Sequence, residues 1–227
     1  MSEVRWLLTL RISGIFIFAH MVVKNTDVGN QYIPQQYTGR QIDVVEEIEL
    51  SSEAVATAFF KLVKRRFLCV NQWGEIAQLP MSTFKLTDSL GEEVSRLATK
   101  GDFIKIDIPG PGSSLGQGYD WVYIEELEEK EDSDVEFVVM RVRPAANPQH
   151  NSADVAHFLE DTATSTFQIK RIGNIVYAEE HGRNENVNSK TDNFIDNLRN
   201  TVVGLGAKLG LSYPQWKSLV KGLLRKD

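Results

Sequence analysis

At 227 residues the chain is long enough for one sizeable domain with a well-buried core. Hydrophobic residues make up 42% and charged residues 25%, ordinary values for a globular protein, and a net charge of −6 excludes the global basic field of a nucleic-acid binder. A lone cysteine, Cys69, excludes an intrachain disulfide and a cysteine-based zinc site, and its apolar neighbours Phe67, Leu68 and Val70 favour a buried, inert thiol in a reducing, cytoplasmic setting.

Residues 6–23, WLLTLRISGIFIFAHMVV, have about the length of a marginal membrane span. Arg11 lies inside this stretch, and a central Arg costs about 2.5–3.5 kcal/mol on insertion scales. No small-residue cleavage site follows it. Three readings stay open: a membrane or interfacial anchor, an extra strand or helix packed on the domain, and a start placed too early. The first would add membrane contact through this arm. Residues 25–41 are polar, contain Gly29, Pro34 and Gly39, and read as a linker or extended arm. Residues 1–40 are therefore set apart from a domain spanning 41–227.

The domain opens with a strand over 44–50, where Val44, Val45, Ile48 and Leu50 mix with Glu46, Glu47 and Glu49. A helix over 53–66 follows, capped by Ser51 or Ser52, with Val55, Phe59, Leu62 and Val63 on one face. Residues 67–80 read as a short helix or loop, 82–87 as a strand, and Asp88-Ser89-Leu90-Gly91 as a turn. Strands are expected over 93–98 and 103–108; in the latter Ile104, Ile106 and Ile108 alternate with Phe103, Lys105 and Asp107. The glycines of 109–118 follow a strand but precede no helix pattern, which excludes a phosphate-cradling loop.

Strands over 119–127 and 135–142 flank an acidic tip. Eight acids and Lys130 give residues 125–136 a charge of −7, leaving the rest of the chain near neutral. The acids lack calcium-loop spacing and read as a solvated hairpin tip. Strands over 166–170 and 175–180 meet at Arg171-Ile172-Gly173-Asn174, a hairpin signal. An amphipathic helix is expected over 191–209, with Phe194, Leu198, Val202, Leu205 and Leu209 as its stripe. Gly204 and Gly206 weaken that helix unless a strand or ligand approaches closely there. Gly210 reads as its end, and Pro214 as the first turn of a second short helix bearing Trp216, Leu219, Val220 and Leu223.

Strand 44–50 with its helix, the strand and turn at Ser82–Phe84 and Gly91, the central strand Gly118-Tyr119-Asp120-Trp121-Val122 and the long last helix resemble the START-like, polyketide-cyclase-like superfamily. The likeness spans roughly residues 41–211, within the usual error of single-sequence element assignment. It implies an α+β helix-grip fold, a curved antiparallel sheet wrapped around a long C-terminal helix. It also implies a cavity for a small hydrophobic molecule or lipid. The arm, the long segment 143–164 and the terminal helix depart from that pattern.

Tyr119, Trp121 and Tyr123 alternate on one strand and, with Phe167, Tyr177, Leu198, Val202 and Gly206, are the expected lining of such a cavity. Arg183 and Glu185 could clamp an anionic or polar head group at its mouth, Arg by its planar fork. The bland alternatives are a filled core and a simple turn. His150, His157 and His181 do not follow a zinc spacing, and neither metal nor cofactor is expected. The leading function is non-catalytic binding of a hydrophobic or amphipathic ligand. A cyclase- or hydratase-like enzyme would instead need Asp120, Arg141 or His181 to point inward, and an interaction module would need an exposed apolar patch.

Overall fold

The computed structural model describes residues 4–12, 15–23, 27–79, 82–108, 115–132, 134–188 and 198–226, with the backbone alone for 4–23, 198–209 and 211. Strands β1 (Val4–Ile12) and β2 (Ile15–Val23) form an antiparallel ribbon running from the Ile12–Ile15 pair to the Val4–Val23 pair. The apolar N-terminal stretch is thus two strands, in keeping with its β-branched and aromatic content.

The main body is α+β. Seven antiparallel strands lie in the order β3-β9-β8-β7-β6-β5-β4. They are β3 (Arg40–Glu49), β4 (Thr83–Thr87), β5 (Phe103–Asp107), β6 (Asp120–Glu131), β7 (Val135–Pro144), β8 (Thr164–Ile172) and β9 (Ile175–Glu185). Helices α1 (Glu53–Leu68), α2 (Trp73–Ala77) and α3 (Leu198–Leu223) pack on one face. The inner face is set by strand parity: Ile42 and Val44, Phe84 and Leu86, Ile104 and Ile106, Val122 and Ile124, Val138, Met140 and Val142, and Phe167 and Ile169 all reach the core.

Local chemistry accounts for several boundaries. Ser52 caps α1 by accepting a hydrogen bond from the Val55 amide at 3.3 Å. Gly91 takes φ +83° in the turn after β4, and its amide donates to the Asp88 carbonyl at 3.0 Å. The strand expected over 93–98 is absent apart from one bridge, Thr87 to Glu93. The amides of Val94 and Ala98 donate to the carbonyls of Leu86 and Leu68, and side chains hold the rest of the segment in place. The Asn71 amide donates to the Val94 carbonyl (2.8 Å), and Asp102 accepts from the Thr99 amide (2.8 Å) and from Arg96 (2.6 and 2.7 Å).

The C-terminal helix differs most from expectation. Gly210 does not end it, and α3 runs unbroken from Leu198 to Leu223 with Pro214 inside. Pro214 lacks the N–H that would reach the Gly210 carbonyl one turn earlier. Tertiary packing of the following turns offsets that loss. Leu219, Val220, Leu223 and Leu224 are buried against the core, and Ser218 donates to the Ala77 carbonyl. Arg66 closes the end by donating to the carbonyls of Leu223 (3.1 Å) and Arg225 (2.6 Å). The half of α3 beyond Pro214, read from sequence as an addition, is thus the part seen packing into the core. Residues 191–197 of the expected helix lie outside the described residues.

Residues 27–39 lie across the outer face of the sheet. Lys170 donates to the Val28 carbonyl (3.3 Å), Arg141 to the Tyr32 carbonyl (2.8 Å), and the amides of Tyr37 and Thr38 donate to Asn184 (2.9 and 3.2 Å).

Candidate functional site: a cavity beneath the last helix

Between the inner face of the sheet and α2 and α3 lies a cavity of about 70 Å³. Four of its rings form one aromatic wall. Trp73 and Phe167 are 5.1 Å apart, Phe167 and Trp216 5.1 Å, Trp73 and Phe84 5.7 Å, and Phe84 and Trp216 6.1 Å between centroids. Ile104, Ile106, Val122 and Val142 continue the apolar lining. The Trp73 indole N–H is satisfied by the Phe67 carbonyl at 2.9 Å.

One end of the cavity is polar, lined by Thr164, Ser165, Glu185, Ser212 and Gln215. Gln215 is 4% exposed and, among the described residues, neither of its amide atoms has a hydrogen-bond partner, nor does the buried Thr164 hydroxyl. Glu185 Oε2 lies 3.2 Å from the Arg40 guanidinium, which also donates to Ser212 at 2.8 Å. His157 also lines the cavity, and its Nδ1 accepts the Leu159 amide at 2.9 Å, so in the neutral ring the proton sits on Nε2.

Glu180 stands beside this polar end. It alternates on β9 with Val176 and Ala178, so it points inward, opposite Phe167 on β8 and Val44 on β3. It is fully buried. The Ser165 hydroxyl is within reach, yet among the described residues neither carboxyl oxygen has a well-aligned hydrogen bond. Burial first, and the charge of Glu185 second, push the Glu180 carboxyl well above the usual range. Burial also raises Glu185, with Arg40 opposing.

The predicted lining is only partly there. Phe167 lines the cavity. Tyr119, Trp121 and Tyr123 lie on the opposite face of β6, because Val122 and Ile124 take the inward positions. Outside, Tyr119 sits under the Lys105 ammonium at 4.2 Å, Tyr123 packs on Phe103 at 5.1 Å, and Trp121 is buried beside Gly116. Tyr177 is also on the outer face, 5.9 Å from the Lys170 ammonium. A one-residue change of parity moves a whole alternating set to the other side. Arg183 is an outer-face residue of β9, donating to Asp43 (2.7 Å) and to the carbonyls of Ile42 and Gly182 (3.0 and 2.8 Å) rather than clamping a head group. Leu198, Val202 and Gly206 fall in the half of α3 whose side chains lie outside the described residues.

Of the groups an enzyme reading would need inside, Arg141 and His181 lie on the outer face, while Asp120 has the inward parity of Val122 and Ile124. Arg141 is bound to Glu125 on the outer face. His181 lies between Asp43 (2.6 Å) and Glu179 (3.0 Å), also outside. Asp120 is buried, where it accepts the Phe158 amide at 2.9 Å and holds the loop that closes the cavity.

Sequence reading named Glu185 only as a head-group clamp beside Arg183 and Trp216 only as part of a helix face, and it passed over Glu180 and Gln215. The last two carried a signal. Glu180 continues the apolar alternation of Val176 and Ala178, and Gln215 sits one turn before Leu219 on an apolar stripe. Among the described residues no cluster of side chains is suited to a metal ion, and no helix is long and apolar enough to cross a membrane.

No family model matches the sequence, and no curated protein matches it. Among solved structures, a hypothetical protein of Helicobacter pylori is similar at 13% identity over 81% of this chain and 88% of its own, with a TM-score of 0.46. A protein of Staphylococcus epidermidis is similar at 15% identity over 86% and 96%, with a TM-score of 0.32. Truncated norcoclaurine synthase from Thalictrum flavum is similar at 9% identity over 86% and 100%, with a TM-score of 0.32.

Proposed function

We propose that the protein binds a small amphipathic molecule in the cavity beneath α3, in a helix-grip arrangement, and acts as a binding protein rather than an enzyme. The observation that carries this reading is an apolar cavity ending in buried polar atoms, those of Gln215 and Thr164, that have no partner among the described residues. A buried polar group left unpaired costs about 1–3 kcal/mol, so an occupant that pairs with them recovers that loss. The cavity is about 70 Å³, and an engineered apolar cavity of about 150 Å³ takes up benzene. The size suits a ligand of a few heavy atoms; a larger one requires Trp216, which is only partly buried, to swing outward.

The test is a titration of isotope-labelled protein with n-butanol, following the side-chain amide of Gln215 and the indole of Trp216 by NMR. Saturable shifts at both groups are expected. They should vanish in Ala163→Leu, because Ala163 lines the cavity and the larger side chain fills it. Wild-type protein without a saturable shift at either group refutes the reading.

A further inference from the structure

Resting on that binding reading, we infer that the ligand carries a cationic amine, held at the polar end of the cavity by Glu180 and Glu185. Among the described residues, the buried atoms without a hydrogen-bond partner here are both oxygens of Glu180, which stands behind the lining residue Ser165, the Thr164 hydroxyl and the two amide atoms of Gln215, while Oε2 of Glu185 faces Arg40 at 3.2 Å. Acceptors dominate, and only the Gln215 nitrogen is purely a donor. An ammonium brings three donors and no acceptor, which matches this set; a carboxylate or phosphate brings the reverse.

Two carboxyl groups share this corner, and Gly182 between them on β9 leaves space that Glu185 occupies: a Cβ at Gly182 would stand 2.7 Å from its Oε1. Arg40 pairs with Glu185 and divides its hydrogen bonds with Ser212. Arg183 and Asp43 act on Glu180 from the outer face, with opposite signs, and bind each other. His157 is turned to the Leu159 amide. No second cation pairs with the acids among the described residues, so an arriving ammonium supplies the missing counter-charge.

Trp73, Phe84, Phe167 and Trp216 present aromatic faces to the same space, and such faces attract an ammonium as well as its alkyl chain. Burial and the charge of Glu185 raise the Glu180 carboxyl, and an ammonium beside it would favour its charged form.

The experiment compares three probes of one size, n-butylamine, n-butanol and butyrate, at pH 7, reading the Gln215 side-chain amide. The amine should bind about tenfold more tightly than the alcohol or better, and butyrate more weakly than either, as charge-assisted bonds in a dry site require. Glu180→Gln and Glu185→Gln keep side-chain shape, and each should cut the amine's advantage to about threefold or less while n-butanol affinity is kept. If either variant fails to fold, the other carries the comparison. If n-butanol binds and n-butylamine binds no tighter, or if the amine's advantage survives both substitutions, the inference is overturned and the binding reading stands. If none of the three binds, both fall.

Discussion

Glu180 and Asp102 are two buried carboxyls with opposite consequences for stability. Burial alone would raise Asp102, but the paired bonds from Arg96 and those from Thr99 outweigh it and hold the group below its ordinary value. Its stabilisation is present at neutral pH and is lost as pH falls through that lowered value. Glu180 runs the other way. Its folded-state value lies well above the ordinary 4.5, so the folded state is fully favoured below 4.5 and penalised as pH rises through the folded value. Replacing Glu180 by Gln removes the ionisation. The variant should be more stable than wild type at pH 8 by about 1–3 kcal/mol, the cost of a poorly paired buried group. The gain should shrink towards nothing near pH 4.5. Urea unfolding at several pH values measures it, and a gain independent of pH, or a loss at pH 8, would show that Glu180 is well paired when charged.

At the scale of elements, what was legible in the sequence depended on how local the cause is. The Ser52 cap, the Gly91 turn and the Gly173-Asn174 hairpin come from neighbouring residues, and all three stand in the structure. The face of β6 was not legible, since both of its alternating sets are apolar or aromatic there and only tertiary packing chooses between Trp121 and Val122. Nor was the continuity of α3, because Gly210 and Pro214 are local stop signals overridden by distant contacts. Those contacts are testable. Leu219→Ala should cost about 2–5 kcal/mol as a core truncation. Gly222→Ala should also destabilise, although Ala favours helix over Gly by about 1 kcal/mol. A Cβ at Gly222 would run into the carbonyl oxygen of Ile76 at the end of α2. Shifts in urea midpoint report both; a stabilising Gly222→Ala would mean that α2 gives way easily.

For the whole molecule, the candidate site was legible only as an expectation of a cavity beneath a helix. Its polar end is assembled from β3, β8, β9 and α3, residues as far apart as Arg40 and Gln215, and no local pattern announces such a meeting. The outer face was still less legible, because its cover comes from a stretch that reads as a linker. Residues 27–39 lie over a buried ion pair, Lys170 with Glu179 at 2.9 Å, and the Tyr32 ring packs 6.1 Å from Phe137. Asn184 depends on the same stretch: its side chain accepts the amides of Tyr37 and Thr38 and donates to the Gln35 carbonyl at 3.1 Å, while its own amide donates to Gln36 at 2.8 Å. These bonds predict an asymmetry between two truncations. A chain beginning at Asp27 keeps every one of them and should unfold at nearly the urea midpoint of the full chain. A chain beginning at Arg40 leaves Lys170, Arg141 and Asn184 short of partners, and at about 1 kcal/mol for each lost hydrogen bond it should be destabilised by about 2–4 kcal/mol. Equal midpoints for the two shortened chains would mean that residues 27–39 rest on the sheet without holding it.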